Sequence, residues 1–342
     1  MMQGLSPQNR IKAFADLGKL IGNLDSETKD YLFRRANSQN SWFTSTSMQA
    51  ALDGLAKLLD AENLNTWLQG YSLQEISDPK KVGILMAGNI PGVGFHDLMC
   101  VLLSGHIAVV KLSASDAFFS KWLIDSLIEV CPVFGDFIQV QEMLKGMDAY
   151  IATGSDNSAR YFNYYFGKYP SIIRANRTSI AVLSGEESEE ELERLGQDIF
   201  LYFGLGCRNV SKIFVKDVAQ LQRLLDVLER FSWVAQNHKY LNNYEYNKSI
   251  YLVNGDPHLD NGFLILKESA DLVSPIAVLY YELYDSIDEL SEQLSSLDSK
   301  IQCIVGDSAS LAGAVAFGEA QYPGPDDYAD GVDTMKFLLT LE

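Results

Sequence analysis

The sequence predicts an α/β protein built on a mostly parallel sheet and preceded by a helical region. Three observations lead there. Short apolar runs of the buried-strand kind recur at Val82-Gly83-Ile84-Leu85-Met86-Ala87, Ile107-Ala108-Val109-Val110-Lys111-Leu112 and Ala149-Tyr150-Ile151-Ala152. Helix-like segments alternate with them, Leu98 to Leu103 and Phe118 to Val130. Such alternation implies βαβ crossovers and therefore parallel strands. The runs end in turns rich in Gly, Ser and Asn, and parallel sheets bind ligands at the carboxyl ends of their strands.

The helical region comes first. Ile11, Phe14, Leu17 and Ile21 recur at helical spacing, as do Leu52, Leu55, Leu58 and Leu59, with a polar loop from Asn37 to Thr46 between them. Within the sheet region, Phe137 to Val140 is a further strand candidate. An acidic helix from Glu189 to Tyr202 leads into the turn Phe203-Gly204-Leu205-Gly206-Cys207. A β-branched and aromatic run to Val215 follows, then a helical pattern from Val218 to Phe231. Ile250-Tyr251-Leu252-Val253 reads as a strand, and the pattern continues through Asp271 to Tyr280, Ile301 to Val305 and Met335 to Leu341. Glu282 to Asp298 reads as a solvated acidic helix with its connections, and Tyr322 to Asp327 as a turn or linker.

A chain of 342 residues can bury a large core in two domains. Its formal charge of −18 argues against a nucleic-acid partner and against an anionic membrane surface. No apolar run is long enough to span a bilayer, and the chain opens on a polar segment rather than a signal peptide. The four cysteines, Cys100, Cys131, Cys207 and Cys303, have neither zinc spacing nor a disulfide pattern, so a cytoplasmic protein is expected. His96, His106, His238 and His258 are scattered, and no metal site is expected.

Cys207 draws attention because the glycines flanking Leu205 let the backbone turn and leave space beside the sulfur. A thiol so placed can act as a nucleophile; equally, a free cysteine packs as a small apolar residue. Asn89, in Gly88-Asn89-Ile90-Pro91-Gly92, can donate its amide to an oxyanion or stabilise the loop as an Asx turn. Thr153-Gly154-Ser155 opens a helix, which makes it a cap and also a ready phosphate site. The aromatic series Tyr161, Phe162, Tyr164, Tyr165 and Phe166 reads as core and surface residues rather than a stacking platform.

In order along the chain these pieces resemble the aldehyde dehydrogenase superfamily, and within it the LuxC-like acyl-CoA reductases. Ala87-Gly88-Asn89-Ile90-Pro91-Gly92 is similar to their Gly-Asn-x-Pro-Gly loop. Val110-Lys111-Leu112-Ser113 resembles the strand end that meets the adenosine ribose, and Thr153-Gly154-Ser155 the helix start at the pyrophosphate. Gly204-Leu205-Gly206-Cys207 with Lys212-Ile213-Phe214-Val215 resembles the nucleophile segment. Asp271-Leu272-Val273-Ser274-Pro275 is similar to the acidic motif that holds the nicotinamide ribose. Two departures stand out: Leu205 replaces the usual glutamine, and Arg174-Ala175-Asn176-Arg177 stands where a Glu-Leu-Gly-Gly motif would supply the water-activating base.

The resemblance implies an aldehyde dehydrogenase-like fold: N-terminal helices and a parallel-sheet cofactor domain over 1–178, and an α/β catalytic domain over 179–315. Residues 316–342 would return to the cofactor domain or to an oligomer interface, with a homodimer as the compatible assembly. It implies an NAD(P)H-dependent acyl-CoA reductase with Cys207 as nucleophile and Asn89 as oxyanion donor. Lys111, Ser113, Gly154, Ser155 and Asp271 would bind the cofactor. An enzyme passing acyl groups to or from coenzyme A needs no water-activating glutamate. NADPH is expected over NADH, since Ala114 stands where NAD-preferring relatives carry a glutamate; Asp116 could swing in to replace it, or could cap the next helix with Ser113 and Ser115. The alternatives are another aldehyde or semialdehyde dehydrogenase of the superfamily, or a catalytically silent binding protein.

Overall fold

A computed structural model describes residues 5–154, 156–175 and 177–341. The chain divides into two compact units, Met1–Asn176 with Tyr322–Glu342, and Arg177–Gln321.

The first unit opens with four helices, α1 (Pro7–Gly22), α2 (Ser26–Gln39), α3 (Ser45–Leu58) and α4 (Ala61–Leu68). Each begins on a side-chain cap, Ser6, Asp25, Thr44 and Asp60, whose oxygen takes an otherwise unpaired backbone N–H. Then come β1 (Lys81–Leu85), α5 (Phe95–Ser104), β2 (Ile107–Lys111), α6 (Ala117–Val130), β3 (Ile138–Val140), β4 (Ala149–Thr153), α7 (Asp156–Phe166) and β5 (Ser171–Arg174). The strands form one parallel sheet in the order β3-β2-β1-β4-β5. β1 and β2 show no polar alternation because helices cover both faces, so Val82, Ile84, Ala108, Val109 and Val110 are all buried. From β1 the order runs one way through β2 and β3 and the other way through β4 and β5. The reversal lies between β1 and β4, the place where such sheets bind ligands.

The second unit contains β6 (Thr178–Val182), α8 (Glu189–Phe200), β7 (Val210–Val215), α9 (Ala219–Leu228), α10 (His238–Asn254), β8 (Leu259–Asp260), β9 (Ile265–Glu268), β10 (Val278–Leu283), α11 (Ile287–Ser296) and β11 (Ile301–Val305). Its sheet has the order β11-β6-β7-β10-β9-β8, parallel except for the β8–β9 pair. The acidic segment before Cys207 is helical as expected, started by a capping box between Ser188 and Glu191.

The chain then returns to the first unit, ending in α12 (Thr334–Leu339). The return is pinned by Trp67 Nε1 donating to Tyr328 Oη at 2.9 Å and Tyr71 Oη donating to Asp333 at 3.0 Å.

One expected strand is helical. Ile250 to Val253 is the last turn of α10, which Asn237 caps at its start and Gly255 closes in a left-handed conformation. Of these four residues only Tyr251 is buried, while Leu252 and Val253 are 61% and 88% exposed, so the apolar run does not report a core strand. The run from Met335 to Leu341 is largely helical: Asp333 accepts from Lys336 N–H and starts α12, whose Met335 and Leu338 face the core. The loop between the early helices is shorter than expected, because α2 runs to Gln39 and α3 starts at Ser45.

Candidate functional site

Asn89, Lys111, Ser113 and Gly154 lie on loops leaving three neighbouring strands of the first sheet. Asn89 follows β1, Lys111 ends β2 with Ser113 just beyond, and Gly154 follows β4. Asn89 and Gly154 therefore flank the reversal of strand order. Asn89 is exposed at its loop tip, and Lys111, Ser113 and Gly154 are half-buried. Ser155 lies outside the described residues.

Two glycines leave no room for a side chain here. A Cβ on Gly88 would collide with the Oγ and Cβ of Ser113, so the Asn89 loop and the end of β2 touch backbone to side chain. A Cβ on Gly154 would come 2.8 Å from the Phe162 ring and 2.9 Å from Ser158 Cβ. Both glycines are therefore required by the close packing of these strand-end loops.

Asp116 does neither of the things expected of it. It is 1% exposed and, although it stands at the N-cap position of α6, its side chain accepts no helix N–H. Its Oδ2 instead accepts from Gly92 N–H at 3.0 Å and Ser120 Oγ–H at 2.8 Å. The carboxyl therefore holds the far side of the Asn89 loop and is not available to a ribose. Burial pushes its pKa up to about 7, against the opposing pull of Ser120 and Gly92.

Cys207 stands in the second unit, half-buried, three residues before β7. The turn works differently from its sequence reading. Gly204 has φ 80°, but the other left-handed residue is Phe203, at φ 57°, rather than Gly206. Phe203 is 1% exposed and packs edge-on against Trp233 at 5.8 Å and tilted on Tyr240 at 5.9 Å. Burial of the ring holds a backbone conformation that a bulky residue rarely adopts. Asp271 is exposed on the loop after β9, beside Leu272, whose carbonyl accepts from Ser211 Oγ at 2.7 Å. That bond lays the Asp271 segment along the start of β7, four residues from Cys207.

The two arginines of the Arg174–Arg177 stretch have structural partners, and Asn176 lies outside the described residues. Arg174 is 3% exposed and pairs with Asp97, while Arg177 donates to the carbonyls of Asp298 and Ile301 at 3.2 and 3.1 Å. Arg174, Asp97 and the Asp116 tie carry no local signature in sequence, since each joins segments far apart along the chain. On α7, Phe166 stacks on Tyr150 at 4.3 Å, whereas Tyr161, Tyr164 and Tyr165 are exposed. Among the described residues, no cluster of three or more His, Cys, Asp or Glu could hold a metal ion, and no helix is long and apolar enough to cross a membrane.

Comparison with known proteins places this geometry. The family model for acyl-CoA reductase (LuxC) matches residues 19–232. The long-chain acyl-protein thioester reductase of Aliivibrio fischeri is 23% identical over 168 residues, 44% of this chain and 35% of the relative, so the match spans about a third of that protein. An oxidoreductase from Marinobacter aquaeolei superposes with a TM-score of 0.67 at 12% identity, covering 100% of this chain and 86% of that one. The indole-3-acetaldehyde dehydrogenase AldA of P. syringae, in complex with NAD+ and IAA, gives 0.65 at 13% identity over 91% and 74%. An E. coli NADP dependent enzyme gives 0.64 at 13% identity over 91% and 77%. These identities speak for fold alone, whereas the family match takes in more than half of the sequence, including the loop of Asn89 and the turn of Cys207. The chain belongs to the LuxC acyl-CoA reductase family and has the aldehyde dehydrogenase fold.

Proposed function

We propose that the chain reduces an acyl thioester, in the first instance acyl-CoA, to the aldehyde with hydride from NAD(P)H. The observation that carries this reading is the family match over 19–232, which contains both Asn89, exposed after β1, and Cys207, half-buried before β7. In support, the loops of Asn89 and Gly154 flank the reversal of strand order, the place where parallel sheets bind ligands. By the resemblance, Lys111 and Ser113 would bind the adenosine end, Gly154 with Ser155 the pyrophosphate and Asp271 the nicotinamide ribose.

The Cys207 thiolate attacks the thioester carbonyl. Collapse of the tetrahedral adduct breaks the carbon–sulfur bond to coenzyme A, which leaves as a thiolate and takes up a proton. Cys207 then carries the acyl group as its own thioester. Reduced nicotinamide, when bound, supplies the hydride that brings the acyl carbon to the aldehyde level. The resulting thiohemiacetal alkoxide re-forms its carbonyl and breaks the carbon–sulfur bond to Cys207, which releases aldehyde and restores the thiolate. The Asn89 amide and the Cys207 N–H are assigned to the oxyanion. No residue in this scheme activates water, in keeping with the arginines that stand where a catalytic glutamate would be.

The test is loss of nicotinamide absorbance across acyl-CoAs of graded chain length, with Cys207→Ala and Cys131→Ala beside the parent. Activity should vanish in the first variant and persist in the second. Near-parental turnover by Cys207→Ala would end the proposal. The A. fischeri relative is named for an acyl-protein thioester, so an acylated carrier protein belongs in the same assay as an alternative donor.

A further inference from the structure

Three successive carbonyls around the candidate nucleophile are each held by a different group. Gly206 C=O accepts from Asn209 N–H at 3.1 Å, Cys207 C=O from Ser179 Oγ–H at 2.9 Å, and Arg208 C=O from Gln321 Nε2 at 3.1 Å. The Asn209 side chain closes the turn from the other direction. Its Oδ1 accepts from Gly206 N–H at 3.0 Å, and its Nδ2 donates to the carbonyls of Asp198 and Ile199, at 3.3 and 3.1 Å, near the end of α8. Asn209 is 2% exposed, so these bonds are made in a dry site where each counts for more than in water. Both peptide planes flanking Gly206 are thereby fixed, and the direction of the Cys207 N–H follows, since it lies opposite the Gly206 carbonyl of the same plane.

We infer that Asn209 is a positioning residue for the nucleophile: it clasps Gly206 on both sides and anchors it to α8, which fixes the Cys207 N–H and sulfur for attack. This rests on the reading of Cys207 as nucleophile. An amide is the side chain suited to the position, because it offers an acceptor to Gly206 and two donors to the paired carbonyls. Aspartate keeps the acceptor but turns a carboxylate oxygen toward two carbonyl oxygens. Alanine keeps the backbone bond from Asn209 N–H to Gly206 C=O but removes the Oδ1 acceptor of Gly206 N–H, and it leaves the two carbonyls of α8 without these donors.

The test uses the full chain with Asn209→Ala and Asn209→Asp and two readouts. The first is reduction of acyl-CoA together with the Kd for NAD(P)H. The second needs no turnover: the iodoacetamide alkylation rate of Cys207 against pH, read peptide by peptide by mass spectrometry, with Cys131 as internal control. Misplacement by about 1 Å can cost about 10²-fold, so kcat should fall by that order in folded Asn209→Ala with the cofactor Kd unmoved. The pH profile of Cys207 alkylation should change while that of Cys131 stays in place. If Asn209→Ala does not fold, Asn209→Asp, which preserves volume, is judged by the same two criteria. A folded variant with kcat and Cys207 labelling both within about threefold of the parent overturns the assignment. Should the parent fail to reduce acyl-CoA, the reductase reading falls, and the labelling arm alone decides the role of Asn209.

Discussion

Arg174 Nη1 lies 2.8 and 2.7 Å from the two carboxylate oxygens of Asp97, joining β5 to α5 across 77 positions of sequence. The same guanidinium donates to Thr334 of α12 at 2.8 Å, and the Arg174 backbone carbonyl accepts from Gly154 N–H at 3.3 Å. One residue thus ties the helix after β1, the C-terminal helix and the turn after β4. A buried ion pair broken on one side leaves an uncompensated charge, which costs about 3–5 kcal/mol. Asp97→Ala and Arg174→Ala should each destabilise the first unit by that order in urea unfolding. The double change to Leu at 97 and Met at 174 should lose far less. Equal losses in the single and double variants would show that the packing, not the charge pair, matters.

Gly204 gives a cleaner test of backbone strain. A Cβ there would meet nothing within 4 Å, so any effect of Gly204→Ala comes from its φ of 80°. The left-handed region costs an L-residue about 1–2 kcal/mol, and the neighbouring Phe203 is already in it. Gly204→Ala should lower stability by about that amount and slow Cys207 alkylation. An unchanged midpoint would mean that the turn relaxes freely.

Two buried carboxyls contribute to the pH dependence of stability. Burial raises Asp116 and Asp198 to about 7, while an unfolded aspartate titrates near 3.9. Between those values these two carboxyls bind more protons in the folded chain than in the unfolded one, so their contribution to stability falls as pH rises, while His96 and His106, lowered by burial, contribute in the opposite sense. The stabilising contribution of the two carboxyls is complete below about pH 4 and is lost by about pH 7. Asp116→Asn should flatten the slope of unfolding free energy over that interval, and the variant should gain on the parent as pH rises. A slope unchanged by both Asp116→Asn and Asp198→Asn would place the titration elsewhere.

Asn89 is exposed at a loop tip whose far side is fixed by Asp116. If its amide meets the oxyanion, Asn89→Ala should lower kcat by about 10²–10³-fold and leave the cofactor Kd alone. Equal kcat with a raised cofactor KM would make Asn89 a cofactor ligand or a turn residue instead.

The first sheet was readable because its strands are buried on both faces, so Val82 to Leu85 and Ile107 to Val110 form unbroken apolar runs. The same rule misled at Ile250 to Val253, where β-branched and aromatic residues sit on the exposed end of a long helix. That helix has no clean apolar face, since its buried residues are Tyr240, Tyr244, Asn247 and Tyr251. Cys207 and Asn89 could be picked out because their turns have glycines at recognisable spacing. Their supports could not. Asp97, Asp116, Ser179 and Asn209 act through a few bonds to backbone groups or individual side chains, and pairing of that kind leaves no periodicity to read.

The last expectation concerns the choice of cofactor. In NAD-preferring relatives a glutamate near the end of the second strand holds the adenosine ribose, and here that position is Ala114. Ala114 is exposed, and its carbonyl accepts from Gln39 Nε2 at 2.8 Å, which fixes the loop without bringing a carboxylate. The other candidate acid, Asp116, is committed to Gly92 and Ser120 and cannot swing out without breaking both bonds. Lys111 would offer a cation to a 2′-phosphate. Ser113 Oγ accepts from Ser115 N–H at 3.3 Å and keeps its own proton to donate. We therefore expect kcat/KM to favour NADPH over NADH by about tenfold, equivalent to ~1.4 kcal/mol. Ala114→Glu should reverse the order by repelling the phosphate, and Asp116→Asn should leave it in place. A clear preference of the parent for NADH would refute the expectation, and loss of that preference in Asp116→Asn would show that the buried carboxylate reaches the ribose after all.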